Sequence, residues 1–427
     1  MPSSSHEIRD PVHNFIIFND LERDLLNSRP MQRLKYIKQL AFTYEVYPGA
    51  THSRFEHSLG TMELASQAFD IITRKGGPKL LAELGWSEND EDRCRQVLRL
   101  GALLHDVGHA PFSHAPESLM PDGIAGHEDF TERIIRSADI RPIIERSKPF
   151  NIDVEEVVAV ALGPKKKPQE DASLQLLGEL VAGELGVDRI DYLVRDALHT
   201  GAAAGRFDYQ RLLNTLTVIN HPETGTPVLA VEAGGLHAAE GLILARYFMF
   251  LQVYFHNVRR IYDRHLVDFL EAWLPNDRFP SDLDGEDGYL SFTDERVTQA
   301  IDHALHNAAL GTLASRLRNR RHFRKAYEVP HDAMSKDPDI FENLTAYIQQ
   351  DFPDQVRVDE SKKETYTLEP GEVYILTDDG PRDILTVSEL IQHLRPIWIG
   401  RVYAEAGVRE QVKTKCRRFV EERGDAP

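Results

Sequence analysis

The sequence predicts a mostly α protein with a small α+β lobe at its C-terminal end, on three observations. Apolar positions recur every three or four residues through long stretches between residues 20 and 319. After about residue 350 the chain changes to short runs rich in alternating or β-branched positions, parted by turn signals such as "EPGE" and "DDGP". Of the 427 residues, 41% are hydrophobic and 28% charged, the balance of a globular chain with ample core.

Taken in order, residues 20–47 ("LERDLLNS", "MQRLKYIKQLAF") alternate apolar and basic positions at helical spacing. "FEHSLGTMELASQAFDIIT" and "EDRCRQVLRLGALLHD" read as amphipathic helices, and further helical stretches follow at 127–137, 152–162, 173–198, 233–272 and 293–319. "LDGEDG" at 283–288 reads as a surface loop. In the tail, "DQVRVDE", "ETYTLEP" and "EVYILTDD" read as strands, "VSELIQHL" as a helix and "IWIGRVYAEA" as a last strand. The expected division is a helical domain over 1–350, with its chemistry within about 50–200, and a lobe over 351–427.

A net charge of −18 repels polyanions at long range, so nucleic-acid binding is possible but not favoured as the main role. Lys165–Lys167 in "GPKKKPQED" read as a solvated loop. Cys94 and Cys416 lie too far apart in sequence to suggest a disulfide framework or a zinc ribbon. No apolar stretch is long enough to span a bilayer, and "MPSSSHEIRD" is a polar start, which together predict a reducing, cytoplasmic setting without a membrane partner.

The chemistry concentrates in "LHDVGHAPFSHAPE", three histidines and two acids behind the apolar run "VLRLGALL". Imidazole and carboxylate ligands converging on one point hold a divalent metal. His57, His105, Asp106 and Asp188 have that chemistry, each in an apolar helical context where burial without a partner is costly. Adjacent residues on a regular helix point about 100° apart, so His105 and Asp106 share one ion best at a helix end, which Gly108 is expected to supply. A lone His-Asp pair after an apolar helix is more often a cap or an ion pair; the ordered set His…His-Asp…Asp is what shifts the reading.

Together, "HSRFEHSLG", "LLHDVGHAPFSH", "HEDF" and "DRIDYLVRD" resemble the HD-domain phosphohydrolases. "QRLKYIKQL", "YPGATHSRFEHS" and "GHAPFSH" are similar to the deoxynucleoside-triphosphate triphosphohydrolases in particular, including the HD domain of the animal enzyme with a sterile-alpha-motif domain. The resemblance runs from Asp10 to about Glu405 and implies an HD-domain helical body. It makes His57, His105, Asp106 and Asp188 ligands of iron, manganese, zinc or nickel, with magnesium accompanying the triphosphate. His114 becomes the proton-transfer residue oriented by Glu117, and His109 and His127 stand beside it. Arg54 and Arg189 are assigned to phosphate, Tyr192 to the sugar-phosphate region and Asp196 to the sugar 3′-hydroxyl. Gln39 and Leu40 line the deoxyribose pocket, while Arg246, Tyr254 and His256 contact base and phosphate. Asp191 and Arg195 read as residues of structural salt bridges.

The function so implied is metal-dependent hydrolysis of a deoxynucleoside triphosphate to the deoxynucleoside and inorganic triphosphate, in a homo-oligomer (dimer or tetramer). The alternatives are an HD-type phosphodiesterase, nuclease or nucleotidase acting on another nucleotide, or a non-catalytic nucleotide sensor. In the animal relative an acid, a glutamine and an arginine hold an activating guanine nucleotide; the matching positions here are Asn27, Gln32 and Lys35. An amide and an ammonium reproduce only part of that pattern, so the resemblance implies weakened guanine activation.

Overall fold

The computed structural model describes residues 5–363 and 368–424. Its helical body forms around helix Arg54–Glu83, which packs on helices Glu88–Leu104, Ala172–Ala182 and Val187–Thr200; Glu88–Leu104 packs in turn on Val154–Lys166. The phase of the sequence explains this arrangement. Phe55, Leu59, Met62 and Phe69 fall on one stripe of the first helix and are buried, and Val97, Leu98, Leu100, Leu103 and Leu104 pack the second into the core. Ser87 and Asp90 cap the start of the second helix through a 2.9 Å bond from the Ser87 N–H. The first helix breaks at Gly77, whose φ of 53° no helix accommodates, followed by Pro78.

Strands β1 (His6–Asp10) and β2 (Asn14–Phe18) form an antiparallel hairpin. β3 (Leu216–Asn220), β4 (Pro227–Glu232), β7 (Tyr374–Thr377) and β8 (Gly380–Asp383) make one sheet in the order β3-β4-β7-β8, with β4 and β7 parallel. β5 (Arg324–Glu328), β9 (Ile397–Ala404) and β6 (Val356–Lys363) make another in the order β5-β9-β6, antiparallel throughout. Both larger sheets draw strands from either side of residue 350. A second apolar cluster, including Met334, Leu344, Ile348, Val402 and Cys416, packs the β5-β9-β6 sheet against helices Ile340–Asp351 and Arg409–Gly424.

The chain is mostly α, with strands concentrated toward its C-terminal part. Long helical stretches divide where glycine or a bend interrupts the phase. The 173–198 stretch becomes two helices parted at Gly183–Gly186, and 233–272 becomes Leu236–Met249, a π-helical turn Phe250–Tyr254 and Asn257–Trp273. The expected helix "VSELIQHL" gives only single turns, Ile384–Val387 and Glu389–Gln392. Of the expected strand "ETYTLEP", residues 364–367 lie outside the described residues, and Leu368–Pro370 are not strand. The three lysines expected in a solvated loop instead close helix Val154–Lys166 and are each ion-paired, Lys165 to Glu184 and Glu372, Lys166 to Asp129 and Lys167 to Glu132. Both cysteines are buried and free. Among the described residues no helix is long and apolar enough to cross a membrane.

Candidate metal centre and active site

Three helices aim the four candidate ligands at one point. His57 sits in the first turn of Arg54–Glu83, His105 and Asp106 follow directly on Leu104 at the end of Glu88–Leu104, and Asp188 lies in the first turn of Val187–Thr200. His57 Nε2 is 3.0 Å from Asp188 Oδ1, 3.2 Å from His105 Nε2 and 3.6 Å from Asp106 Oδ2; His105 Nε2 is 3.5 Å from both Asp106 Oδ1 and Asp188 Oδ1. Ligands about 2.0–2.2 Å from a common ion stand roughly 3 Å apart when mutually perpendicular, so the donor set fits one divalent cation. The field agrees. Burial opposes charge on His57, but Asp188, Asp191 and Asp106 outweigh it and push its pKa up to about 10, the same preference for positive charge that favours a cation there.

The outer nitrogens of both imidazoles are anchored. His57 Nδ1 donates to Asp191 Oδ2 at 2.7 Å and His105 Nδ1 to the Ala102 carbonyl at 2.8 Å, which turns each Nε2 toward the common point. Asp191 is fully buried and also accepts from His13 (2.6 Å) and Arg195 (2.9 and 3.0 Å), and Arg195 reaches Asp10 at 2.8 Å. A Cβ at position 60 would lie 2.0 Å from Asp191 Oδ1, so Gly60 is what lets the two helices close over this network. Asp191 and Arg195 do make salt bridges, here with each other, but the link from Asp191 to His57 is absent from the sequence reading. The available signal was the three-residue spacing from Asp188, which places both carboxylates on one helix face. Asp191→Asn is expected to weaken divalent-metal affinity by about 10- to 100-fold while the helical far-ultraviolet circular dichroism persists; titration of the apoprotein with metal measures it.

Beside this group stands a histidine relay. His109 Nε2 is 3.2 Å from Asp106 Oδ1, and its ring stacks on His127 at 3.7 Å. Glu117 Oε1 accepts from His127 Nδ1 at 2.6 Å and from His114 Nδ1 at 3.2 Å. Burial disfavours charge on Glu117, but these two bonds hold its carboxyl well below the usual range. Dense protein around His114 lowers its pKa against the opposing pull of Glu117. The His114 side chain is 56% exposed, open on the side away from Glu117's carboxylate contact at 3.2 Å. Burial, with Arg54 and His127 nearby, holds His109 well below its ordinary value and therefore neutral.

Arg54 is buried, bonded to Asp106 and, through Nε at 2.9 Å, to the Ser113 hydroxyl. The helix ends at Leu104 rather than at Gly108, so glycine is needed there for another reason. A Cβ on residue 108 would meet the His127 carbonyl at 2.2 Å and the Thr131 nitrogen at 2.3 Å; Gly108 lets helix His127–Ile135 press against the metal-ligand turn.

The remaining candidates form two further walls. Arg189 and Arg246 converge on Glu184, at 2.9 and 3.1 Å, and Glu184 went unrecognised in the sequence although it lies just ahead of the Asp188 helix. Asp196 accepts from Tyr254 at 2.7 Å and from His52, also unforeseen, at 2.8 Å. The Tyr192 ring stands edge-on to both His57 and Tyr254, at 6.4 Å each. The π-helical turn delivers Tyr254 to this wall, a local distortion of the sort that recurs at functional sites. Leu40 is buried, and Gln39 holds its side-chain oxygen buried without a hydrogen bond among the described residues. A cavity of about 200 Å³ opens beside His114, lined also by Ser118, Arg259, Arg260, Asp263 and Arg264. His256 stands apart: its Nδ1 caps helix Asn257–Trp273 and its ring meets Tyr47 edge-on, with no bond or ring contact to the His–Asp group among the described residues.

A buried His/Asp donor set at the junction of three helices, with histidines beside it, defines a metal-binding HD domain. Residues 54–195 match the HD domain and residues 207–423 the HD associated region, and the chain belongs to the HD-domain phosphohydrolases. It is 36% identical over 261 residues to an uncharacterized protein, YwfO, of Bacillus subtilis, covering 60% of this chain and 53% of that one. It is 32% identical over 292 residues to the deoxynucleoside triphosphate triphosphohydrolase SAMHD1 of Homo sapiens, covering 62% of this chain and 44% of that one. The matched region thus spans about half the length of these two relatives. A crystal structure of a hypothetical protein from Aquifex aeolicus superposes with a TM-score of 0.79 at 33% identity, over 96% of this chain and all of that one.

Proposed function

We propose that the protein hydrolyses deoxynucleoside triphosphates to the deoxynucleoside and inorganic triphosphate. The observation that carries this reading is the placement of four convergent metal ligands between a histidine–carboxylate relay and a pair of guanidinium groups. The human relative's description as a deoxynucleoside triphosphate triphosphohydrolase supports it. A divalent cation held by His57, His105, Asp106 and Asp188 supplies Lewis acidity and an acidified water, with magnesium escorting the triphosphate.

The chain's own residues do the rest. Water adds to the α-phosphorus as the bond to the 5′-oxygen breaks, and His114 delivers the proton that this oxygen needs to leave as a hydroxyl. Glu117 holds both His114 and His127 by their Nδ1 atoms, which turns Nε2 of each outward for proton transfer. Arg54, Arg189 and Arg246 neutralise phosphate charge through planar donor pairs. On this reading Leu40 lines the deoxyribose pocket and excludes ribonucleotides by steric conflict with the 2′-hydroxyl. Gln39 has a buried oxygen ready to accept a bond, and Asp196, held by His52 and Tyr254, is the acceptor for the 3′-hydroxyl.

The metal-loaded protein, given the four dNTPs and four NTPs, is expected to release inorganic triphosphate from the deoxy set. Monophosphate or pyrophosphate as the product sinks this reading in favour of another nucleotide hydrolase, and silence toward every nucleotide favours a sensor. Guanine activation is expected to be weak. Lys35 Nζ bonds Gln32 Oε1 at 2.9 Å and Gln32 Nε2 bonds the Leu26 carbonyl at 2.6 Å, so these side chains satisfy each other. Hydrolysis of a single dNTP is expected to proceed without added GTP; a protein inert on every single dNTP until GTP is supplied overturns this.

A further inference from the structure

Asp294 opens helix Asp294–Ala304, at least 98 residues from every candidate site residue outside the segment 246–256, and the sequence gives no hint of a role for it. It is 2% exposed, and among the described residues it makes no ion pair within 4 Å, although the charges of Lys38 and Arg33 act on it from farther off. Oδ2 accepts the backbone N–H of Lys38 at 2.9 Å and Oδ1 that of Phe112 at 2.6 Å. One carboxylate therefore grips two loops. The first runs directly into Gln39 and Leu40. The second is the "APFSH" turn, where Phe112 and Ser113 hold successive left-handed φ values of 57° and 61°, before His114. Two consecutive non-glycine residues in that region cost free energy and persist only where neighbours impose them.

Neighbouring groups impose this turn. Besides the Asp294 bond, Phe112 stacks on Phe42 at 4.4 Å, and the Ser113 hydroxyl donates to the Lys38 carbonyl at 2.7 Å while accepting from Arg54. The 37–40 segment is in turn tied to 52–54, through Gln39 N–H to the His52 carbonyl and Arg54 N–H to the Ile37 carbonyl. Asp294 is thus one side chain bonded to both the loop carrying Gln39 and Leu40 and the turn carrying His114, beside the direct Ser113–Lys38 bond.

We infer that Asp294 is a positioning residue which fixes His114 and the Gln39–Leu40 loop in one register, coupling the proton-transfer group to sugar discrimination. The inference rests on the roles proposed for His114, Gln39 and Leu40. An amide in its place offers one acceptor oxygen and one NH₂ group, so only one of the two backbone N–H groups can be satisfied and the other meets a donor.

The test compares Asp294→Asn with Thr293→Ala. Thr293 caps the same helix by accepting the Arg296 N–H and touches neither loop, so it reports what loosening the helix end alone does. Amide hydrogen exchange is read first, because it is independent of any substrate. Asp294→Asn is expected to speed exchange at Lys38 and across 112–115 by at least tenfold with metal content unchanged, whereas Thr293→Ala leaves those amides protected. With a dNTP and its matching NTP, Asp294→Asn is expected to lower kcat at least tenfold and to narrow the dNTP-to-NTP ratio of kcat/KM at least threefold, while Thr293→Ala lowers only Tm. Unchanged exchange at both segments, or an Asp294→Asn protein whose losses match those of Thr293→Ala, overturns the inference. If Asp294→Asn does not fold, Asp294→Glu, which keeps two oxygens one methylene out of place, is read the same way. A wild type silent on all nucleotides fails the functional proposal alone, since the exchange comparison still decides whether Asp294 sets the two loops.

Discussion

Asp106→Ala is expected to lose bound metal and activity together while the helical body stays assembled. Asp106 is 6% exposed and lies within 3.5–3.6 Å of both imidazole Nε2 atoms, so its removal takes away a ligand that no neighbouring side chain replaces. It is also the acceptor for Arg54 and His109. Leaving the Arg54 guanidinium buried with only Ser113 beside it costs about 3–5 kcal/mol, the usual scale for breaking a buried pair from one side. His105→Ala is the cleaner companion, because its outer nitrogen bonds the Ala102 carbonyl and its removal leaves the buried Arg54–Asp106 pair in place. Elemental analysis and circular dichroism on both variants read the outcome. A full metal complement in an inactive Asp106→Ala protein contradicts the ligand assignment.

His114→Ala is expected to keep its metal and lose at least about a hundredfold in kcat, the usual scale of a general acid or base. The half-exposed ring contacts Glu117, His109 and His127 but none of the four ligands, so truncation leaves the donor set intact. Glu117→Gln gives a finer readout. The Glu117 carboxylate raises the pKa of His114, so removing its charge lowers that pKa. A general acid acts in its protonated form, and the limb on which the rate falls with rising pH is therefore expected to move to lower pH in Glu117→Gln. Loss of metal along with activity in His114→Ala makes that histidine a ligand or a prop instead.

Much of the helical body was legible because helix formation leaves a local signature. The stripe from Phe55 to Phe69 and the apolar run before His105 carry their period within each segment, and short-range geometry fixes it. The early strands were harder to read. In β1 and β2 only Asp10 and Ile16 are buried, so no alternation marks the hairpin. β3 and β4 flank the turn residues "HPETG" and could have been found from their β-branched content. The parallel pairing of β4 with β7 joins residues more than 140 positions apart, and no local pattern encodes such a partner.

The candidate site divides the same way. Sequence alone determined that His57, His105, Asp106 and Asp188 are of metal-ligand type in apolar helical contexts, with His105 and Asp106 at a helix end, since residue type and helical phase are written in each segment. It did not determine what stands behind them. That Asp191 holds His57, that Glu117 bridges two histidines, that Glu184 gathers two arginines and that Asp294 joins two loops were decided only by tertiary structure. The physical reason is that a buried charge or strained turn must be matched by whichever group packing brings within about 3 Å, and most of those partners come from other helices or loops, up to 256 residues away.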